Sequence, residues 1–435
     1  MTTAVWGAWH VEQFLTLNLA TLLAPGNLPA FCARRRLRYC IFTTERDRLL
    51  LEQAPIVGEL RRMMAVEFHL LSPERLGNPI AAHHHAWELA TNQAMADGSF
   101  VLFMPPDVAW SDRAFTHLAE LLDRGLGAVF MTYLRVDQDL FTCAMREHAR
   151  SGAFAVAIDS RKLVALALEC LHPLMAASMI SSRRLPIHPE MLFWPGPPGA
   201  LLLRVLAREF FLFDPSRFAW NRARLAAQPS HPSDLHFVDN SDDLFAVSLA
   251  ELGKDADWHS RANRADHADI GQWWLNYDSP INDAVVRYKI RWHSGEPGEA
   301  AWRRAEARSD RFIRRCAVAR EGFRLRSMAQ NQGCQDAARL IALAIYSGAL
   351  ARTVRGSGSA AILLPTDEAF RTAPPSLLDG LSKPGSWRVW GRIIRAHCRP
   401  QGQVSAGTLP AGIVAGPIQA GPHAVYLIDR ILVPE

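Results

Sequence analysis

The chain opens with short apolar runs that alternate with longer segments of helical spacing. Thr3–Gly7 reads as a short strand. Val11–Leu23 carries Phe14, Leu15, Leu19, Leu22 and Leu23 at helical spacing, and Pro25-Gly26-Asn27 ends it. Arg38–Thr44 is predicted as a second strand, Arg46–Met64 as helix broken near Pro55, and Val66–Leu71 as a third strand. Ala86–Ala96 is helical up to Asp97-Gly98, and Phe100–Met104 is a buried strand closed by Pro105-Pro106-Asp107. A helix over Ser111–Arg124 and a strand over Ala128–Leu134 follow. Strands and helices taking turns in this way predict a layered α/β domain with a largely parallel sheet.

The pattern then loosens. His188-Pro189-Glu190 and Trp194-Pro195-Gly196-Pro197-Pro198 read as loops, and the acidic run Asp239-Asn240-Ser241-Asp242-Asp243 precedes a strand over Leu244–Leu249. Over 298–327 the pattern becomes one helix. Trp302, Ala305, Ser309, Phe312, Cys316, Ala319 and Phe323 recur at alternating spacings of 3 and 4, between nine arginines from Arg303 to Arg326. This predicts an apolar stripe packed on a domain with the arginines in solvent. Beyond it, strands over Ala360–Leu364 and His423–Leu432 and a helix over Ser386–Arg395 predict a small α+β block. The expected division is 1–297, an Arg-rich helical linker over 298–334, and 335–435.

Composition narrows the classes. The 435 residues are 49% hydrophobic and 21% charged, so the chain can bury a core and is not a disordered one. Lysine stands only at 162, 254, 289 and 383, leaving 44 arginines among 48 basic residues, a bias that points to GC-rich bacterial coding. A net charge of +5 over this length lacks the concentrated stripe of a nucleic-acid binder, so no nucleic-acid partner is expected. The seven cysteines are odd in number and show no CxxC spacing, which suits free thiols in a reducing compartment. No basic, apolar leader and no run of ~20 apolar residues stands in the chain. The expectation is a cytoplasmic protein with no transmembrane segment.

Candidate chemistry centres on Ala90–Asp107, ATNQAMADGSFVLFMPPD. Here a helix stops, a buried strand follows, and Asp107 lies just past its C-terminal end. That edge of an open α/β sheet binds ligands, and a carboxylate there can hold a divalent cation against a diphosphate. The arrangement resembles the nucleotide-sugar-binding half of a glycosyltransferase of the A-type fold. Asn92 matches that family's helical Asn, and Asp107 the second Asp of its Asp-x-Asp motif, while Pro105 replaces the first. The resemblance implies nucleoside contacts at Thr44, Glu45 and Asp47, Mg²⁺ or Mn²⁺ at Asp107, and sugar transfer from a nucleotide-diphosphate donor to an acceptor. An inverting transferase needs a general base, for which Glu190, Asp239 and Asp242 are candidates by residue type. His83-His84-His85 cannot all ligate one ion on a helix, where neighbours point about 100° apart; His84 and Glu88 can share a face. HExxH, Gly-rich phosphate loops and the GxSxG elbow are absent from the sequence.

The last block carries a second signature. Residues 361–370, AILLPTDEAF, are a strand, a turn and cap-type residues. With His397 and Pro400, and with HAVYLIDRILVP over 423–434, they resemble a fasciclin-like domain, although Ala396 stands where that family has Tyr. The resemblance implies a module that binds a protein or glycan partner. Pro365 and Phe370 themselves read as turn and core devices. Two functions are expected: a glycosyltransferase-like enzyme with a binding module, or a non-catalytic scaffold on a degenerate transferase domain, which Pro105 favours.

Overall fold

The computed structural model describes residues 1–146, 154–186, 189–206, 211–218, 234–252, 264–278, 280–346, 360–382, 392–394, 396–400, 404, 411–420 and 423–433. His188, most of the helix expected over 386–395, and Pro434 lie outside them. The chain is mixed α/β and divides into two compact units. The first holds Met1–Arg264 and Tyr277–Ala307; the second holds Ala265–Asn276 and Arg308–Glu435. The division therefore falls inside the helix Glu299–Asn331, and not at 297 and 334.

In the first unit the strands are β1 (Thr2–Ala4), β2 (Arg38–Thr43), β3 (Ala65–Leu70), β4 (Val101–Leu102), β5 (Val108–Trp110), β6 (Ala128–Phe130), β7 (Leu134–Asp137), β8 (Met191–Pro195), β9 (Ala200–Val205), β10 (Leu212–Phe213), β11 (Leu235–Phe237), β12 (Ala246–Ala250) and β13 (Ile290–His293). β1, β2 and β3 pair in parallel. On the far side of β1, a parallel bridge Thr2↔Phe103 and a 2.8 Å bond from the Met104 N–H to the Thr2 carbonyl bring in β4. The pairing continues β4-β10-β6-β11, with only β10 antiparallel to its neighbours. The strand order reverses direction between β1 and β4. Phe14, Tyr39, Ile41, Leu60, Phe115 and Phe130 are buried in the core on this sheet.

Local chemistry explains the element borders. Pro55, which has no N–H to give a continuing helix, splits the expected 46–64 helix into Glu45–Gln53 and Pro55–Met63. Gly7, at φ +79°, turns the chain out of β1 in a conformation that L side chains avoid, and helix follows at once from Ala8 to Leu22 with a π-type stretch at Phe14–Asn18. The strand expected over 128–134 is two, β6 and β7. The loop expected over 194–198 is corrected. Trp194 and Pro195 belong to β8, and Trp194 is buried. β8 is an edge strand in the order β13-β9-β8, where a residue without an N–H is tolerated.

The second unit packs the helix His267–Leu275 on the 308–331 part of the long helix. A capping box between Asp266 and Asp269 starts the first. Most of the expected stripe is buried along the second: Ser309, Cys316, Ala319 and Phe323 are in the interior, while Phe312 is only half-buried. Arg320 departs from the expected solvated arginines. It is buried with its guanidinium 4.3 Å over the Trp274 ring. The sheet is β14 (Ala360–Pro365), β15 (Cys398–Pro400), β16 (Ile413–Ala420) and β17 (His423–Ile428), in the order β15-β14-β17-β16. After β14, the Thr366 hydroxyl caps the helix Asp367–Arg371 and the Asp367 carboxylate accepts the Asp336 N–H at 3.0 Å. Phe370 is buried in the core of this unit, as expected. The His397 ring takes Leu432 N–H at Nε2 (3.1 Å) and donates from Nδ1 to the Ile393 carbonyl (2.8 Å). All seven cysteines are free, and among the described residues no helix is long and apolar enough to cross a membrane.

Candidate functional site

The C-terminal ends of β1 and β4 lie side by side, and the segment Trp6–His10 leaves from the first of them. Its Gly7 N–H donates to Asp47 Oδ2 at 2.9 Å. The Thr44 hydroxyl donates to the same oxygen at 2.8 Å and accepts the Asp47 N–H at 3.1 Å. Thr44 and Asp47 thus fasten the end of β2 to the end of β1, with Asp47 buried. Glu45 is exposed and paired with Arg48 at 2.9 Å. Asn92 sits on an exposed position of the helix Pro79–Ala96.

Past β4 the turn at Asp107 is fixed from behind. Buried Asn18 donates from Nδ2 to the Pro105 carbonyl at 3.2 Å and to the Val108 carbonyl at 2.8 Å. Leu249 N–H bonds the Asp107 carbonyl, and Ser248 Oγ donates to Asp107 Oδ2 at 3.3 Å. Burial raises the pKa of this carboxyl, and positive charge on His10 and Arg135 works in the opposite direction.

Facing His10 is an aromatic and imidazole wall. His83 lies edge-on to Trp6 at 5.2 Å, and burial, with the charges of His10 and His84, lowers its pKa to about 4. Trp87 lies 6.1 Å from His83 and stacks on Phe103 at 4.5 Å. The arrangement offers one carboxylate for a cation, Arg135 and His10 for anionic oxygens, and flat rings for an apolar or sugar face.

The three candidate bases lie elsewhere. Glu190 is exposed at the start of β8. Asp242 is held by Arg161 in a bidentate bond of 3.0 and 2.9 Å, which lowers its pKa and weakens it as a base. Asp239 is the better base: desolvation, then Asp243, raises its pKa. It follows β11, at the same end of the sheet as Asp107 and three strand spacings from β4, about 14 Å. A separate cavity of about 480 Å³, lined by Arg36, Arg38, Cys40, Gln93 and Asp97 among others, opens at the other, N-terminal ends of β1, β2 and β4.

Trp6, His10, Arg135 and Ser248 were not singled out by the sequence pattern. Trp6 and His10 were findable, because the rule that pointed to Asp107 past β4 applies equally to the residues just past β1. Ser248 is 141 positions from Asp107 and left no local signal. Compared with known proteins, the chain matches no family model and no curated protein.

Proposed function

We propose that the first unit binds a nucleotide-diphosphate sugar at the C-terminal ends of β1 and β4 and transfers the sugar to an acceptor. The observation that carries the reading is the reversal of strand order between β1 and β4, with Asp107 just past β4. A reversal of that kind opens a crevice at the carboxyl ends of the strands. In this reading Arg135 and His10 neutralise the diphosphate, and the Trp6–His83–Trp87 wall takes a ring. One half-buried carboxylate fits a Mg²⁺ or Mn²⁺ ion held mainly by the diphosphate's own oxygens. Such an ion would supply charge neutralisation on the leaving diphosphate. Asp239, with its raised pKa, is the preferred proton acceptor for the incoming hydroxyl. The second unit, which carries the fasciclin-like resemblance, holds the acceptor or a partner.

Calorimetry with a panel of nucleotide sugars, with and without Mn²⁺, tests the reading. Wild type binds at least one donor. Arg135→Ala weakens it about tenfold, and Asp107→Asn removes the Mn²⁺ dependence. No binding to any donor sinks the proposal. Binding without transfer or donor hydrolysis favours the non-catalytic scaffold, a reading supported by Pro105 and by the engagement of Asp242 with Arg161.

A further inference from the structure

β2 and the edge strand β3 carry a second cluster of different chemistry from Asp107. In the parallel register of β2 and β3, Cys40 lies opposite Glu67 and Phe42 opposite His69. Alternation along a strand puts Cys40, Glu67 and His69 on one face. Their donor atoms, one from each residue, all lie within 4.8 Å of one another. His69 Nε2 stands 3.7 Å from Glu67 Oε2. Ligands bonded at about 2.0–2.3 Å to a tetrahedral ion are separated by about 3.3–3.8 Å.

The imidazole supplies the independent observation. His69 Nε2 is buried and has no hydrogen-bond partner. Its ring stacks on Phe42, with centroids 4.7 Å apart and planes at 21°, which fixes the plane of the imidazole. A buried ring nitrogen without a partner is costly unless something fills the place. Arg38 is the competing cation. It reaches Glu67 only at 3.9 Å and gives its direct bond to Asp97, so Glu67 keeps oxygen lone pairs for another partner.

We propose that Cys40, Glu67 and His69 bind one Zn²⁺ ion, with water in the fourth position. Thiolate, imidazole and carboxylate together are a borderline-soft donor set that suits Zn²⁺ and does not suit Mg²⁺ or Mn²⁺, which prefer all-oxygen shells. Cys40 lines the cavity of about 480 Å³, which gives water access to the open position. On binding, the thiol proton leaves to the buffer, and the thiolate, imidazole nitrogen and carboxylate oxygen each donate a lone pair.

The full chain, stripped of metal with a chelator, tests this by calorimetry with Zn²⁺ and by absorption spectroscopy with Co²⁺. The expected result is one ion per chain and a thiolate-to-cobalt charge-transfer band. Cys40→Ser abolishes the band. Glu67→Gln and His69→Gln, whose side chains are about two-fifths exposed and tolerate change, each weaken binding by about tenfold or more. Asp107→Asn leaves Zn²⁺ binding unaltered. A wild type that shows no thiolate band overturns the proposal. So does a band that survives Cys40→Ser, or an affinity unmoved in both Glu67→Gln and His69→Gln.

Discussion

A buried imidazole is where single residues leave the clearest trace in solution. Burial lowers the pKa of His397 to about 4 from an ordinary 6.5, and its two nitrogens are both engaged with backbone groups. Below pH 6.5 the unfolded chain binds a proton that the folded one refuses. Stability is therefore complete above about pH 6.5 and is lost as pH falls toward 4. Between pH 7 and 5 this group alone contributes a loss of about 2 kcal/mol. Urea denaturation of wild type and His397→Gln at both pH values measures it. The variant keeps a donor and an acceptor but does not titrate, so its stability declines less; equal declines would refute the assignment. His397 and Phe370 were legible because short motifs announce them. Asp47 and Asp107 were legible as carboxylates at the right edge, but not in their bonding. Gly7 and Ser248, which their carboxylates contact, lie 40 and 141 positions away.

Among elements, the helix His267–Leu275 and the long helix beside it come close together at Gly271. A methyl group at Gly271 would come within 2.6 Å of the Cys316 carbonyl and 2.8 Å of Ala319 Cβ, and both are fixed atoms. Alanine is the better helix former by about 1 kcal/mol, but overpacking against backbone outweighs that gain. Gly271→Ala is expected to destabilise the second unit by about 1–3 kcal/mol. In differential scanning calorimetry its transition moves down while that of the first unit stays in place, and a raised transition would contradict the packing. The apolar stripe from Trp302 to Phe323 was legible because helical period and burial coincide. The place of Arg320 was not, since a guanidinium reads as a solvent group until Trp274 is brought beneath it.

For the whole molecule, the composition of each unit matters more than the sequence divisions. Residues 265–276 precede the last segment of the first unit yet belong to the second. A fragment ending at Gln330 keeps Ala268, Ala319, Phe323, Leu325 and Ala329 but loses Cys334, Ala337, Ala344, Ile345, Leu364 and Phe370 from their clusters. Size-exclusion chromatography should find it aggregated. Residues 1–307 with a Gly/Ser linker in place of 265–276 should elute as a folded monomer; the reverse outcome would show the division to be wrong. Nothing in the local pattern near 265 announced this exchange, because it rests on packing between residues 265–276 and the helix beyond residue 307, across a segment that belongs to the first unit. The exchange also has a timing. Residue 331 follows residue 276 by 55 positions, roughly 3–11 s of ribosomal elongation. Throughout that interval Trp273 and Trp274 have left the ribosome before the whole of the long helix, whose Arg320 covers the Trp274 ring. The nascent chain therefore presents a two-tryptophan segment to chaperones, in a window that a slower codon run between 277 and 331 would lengthen.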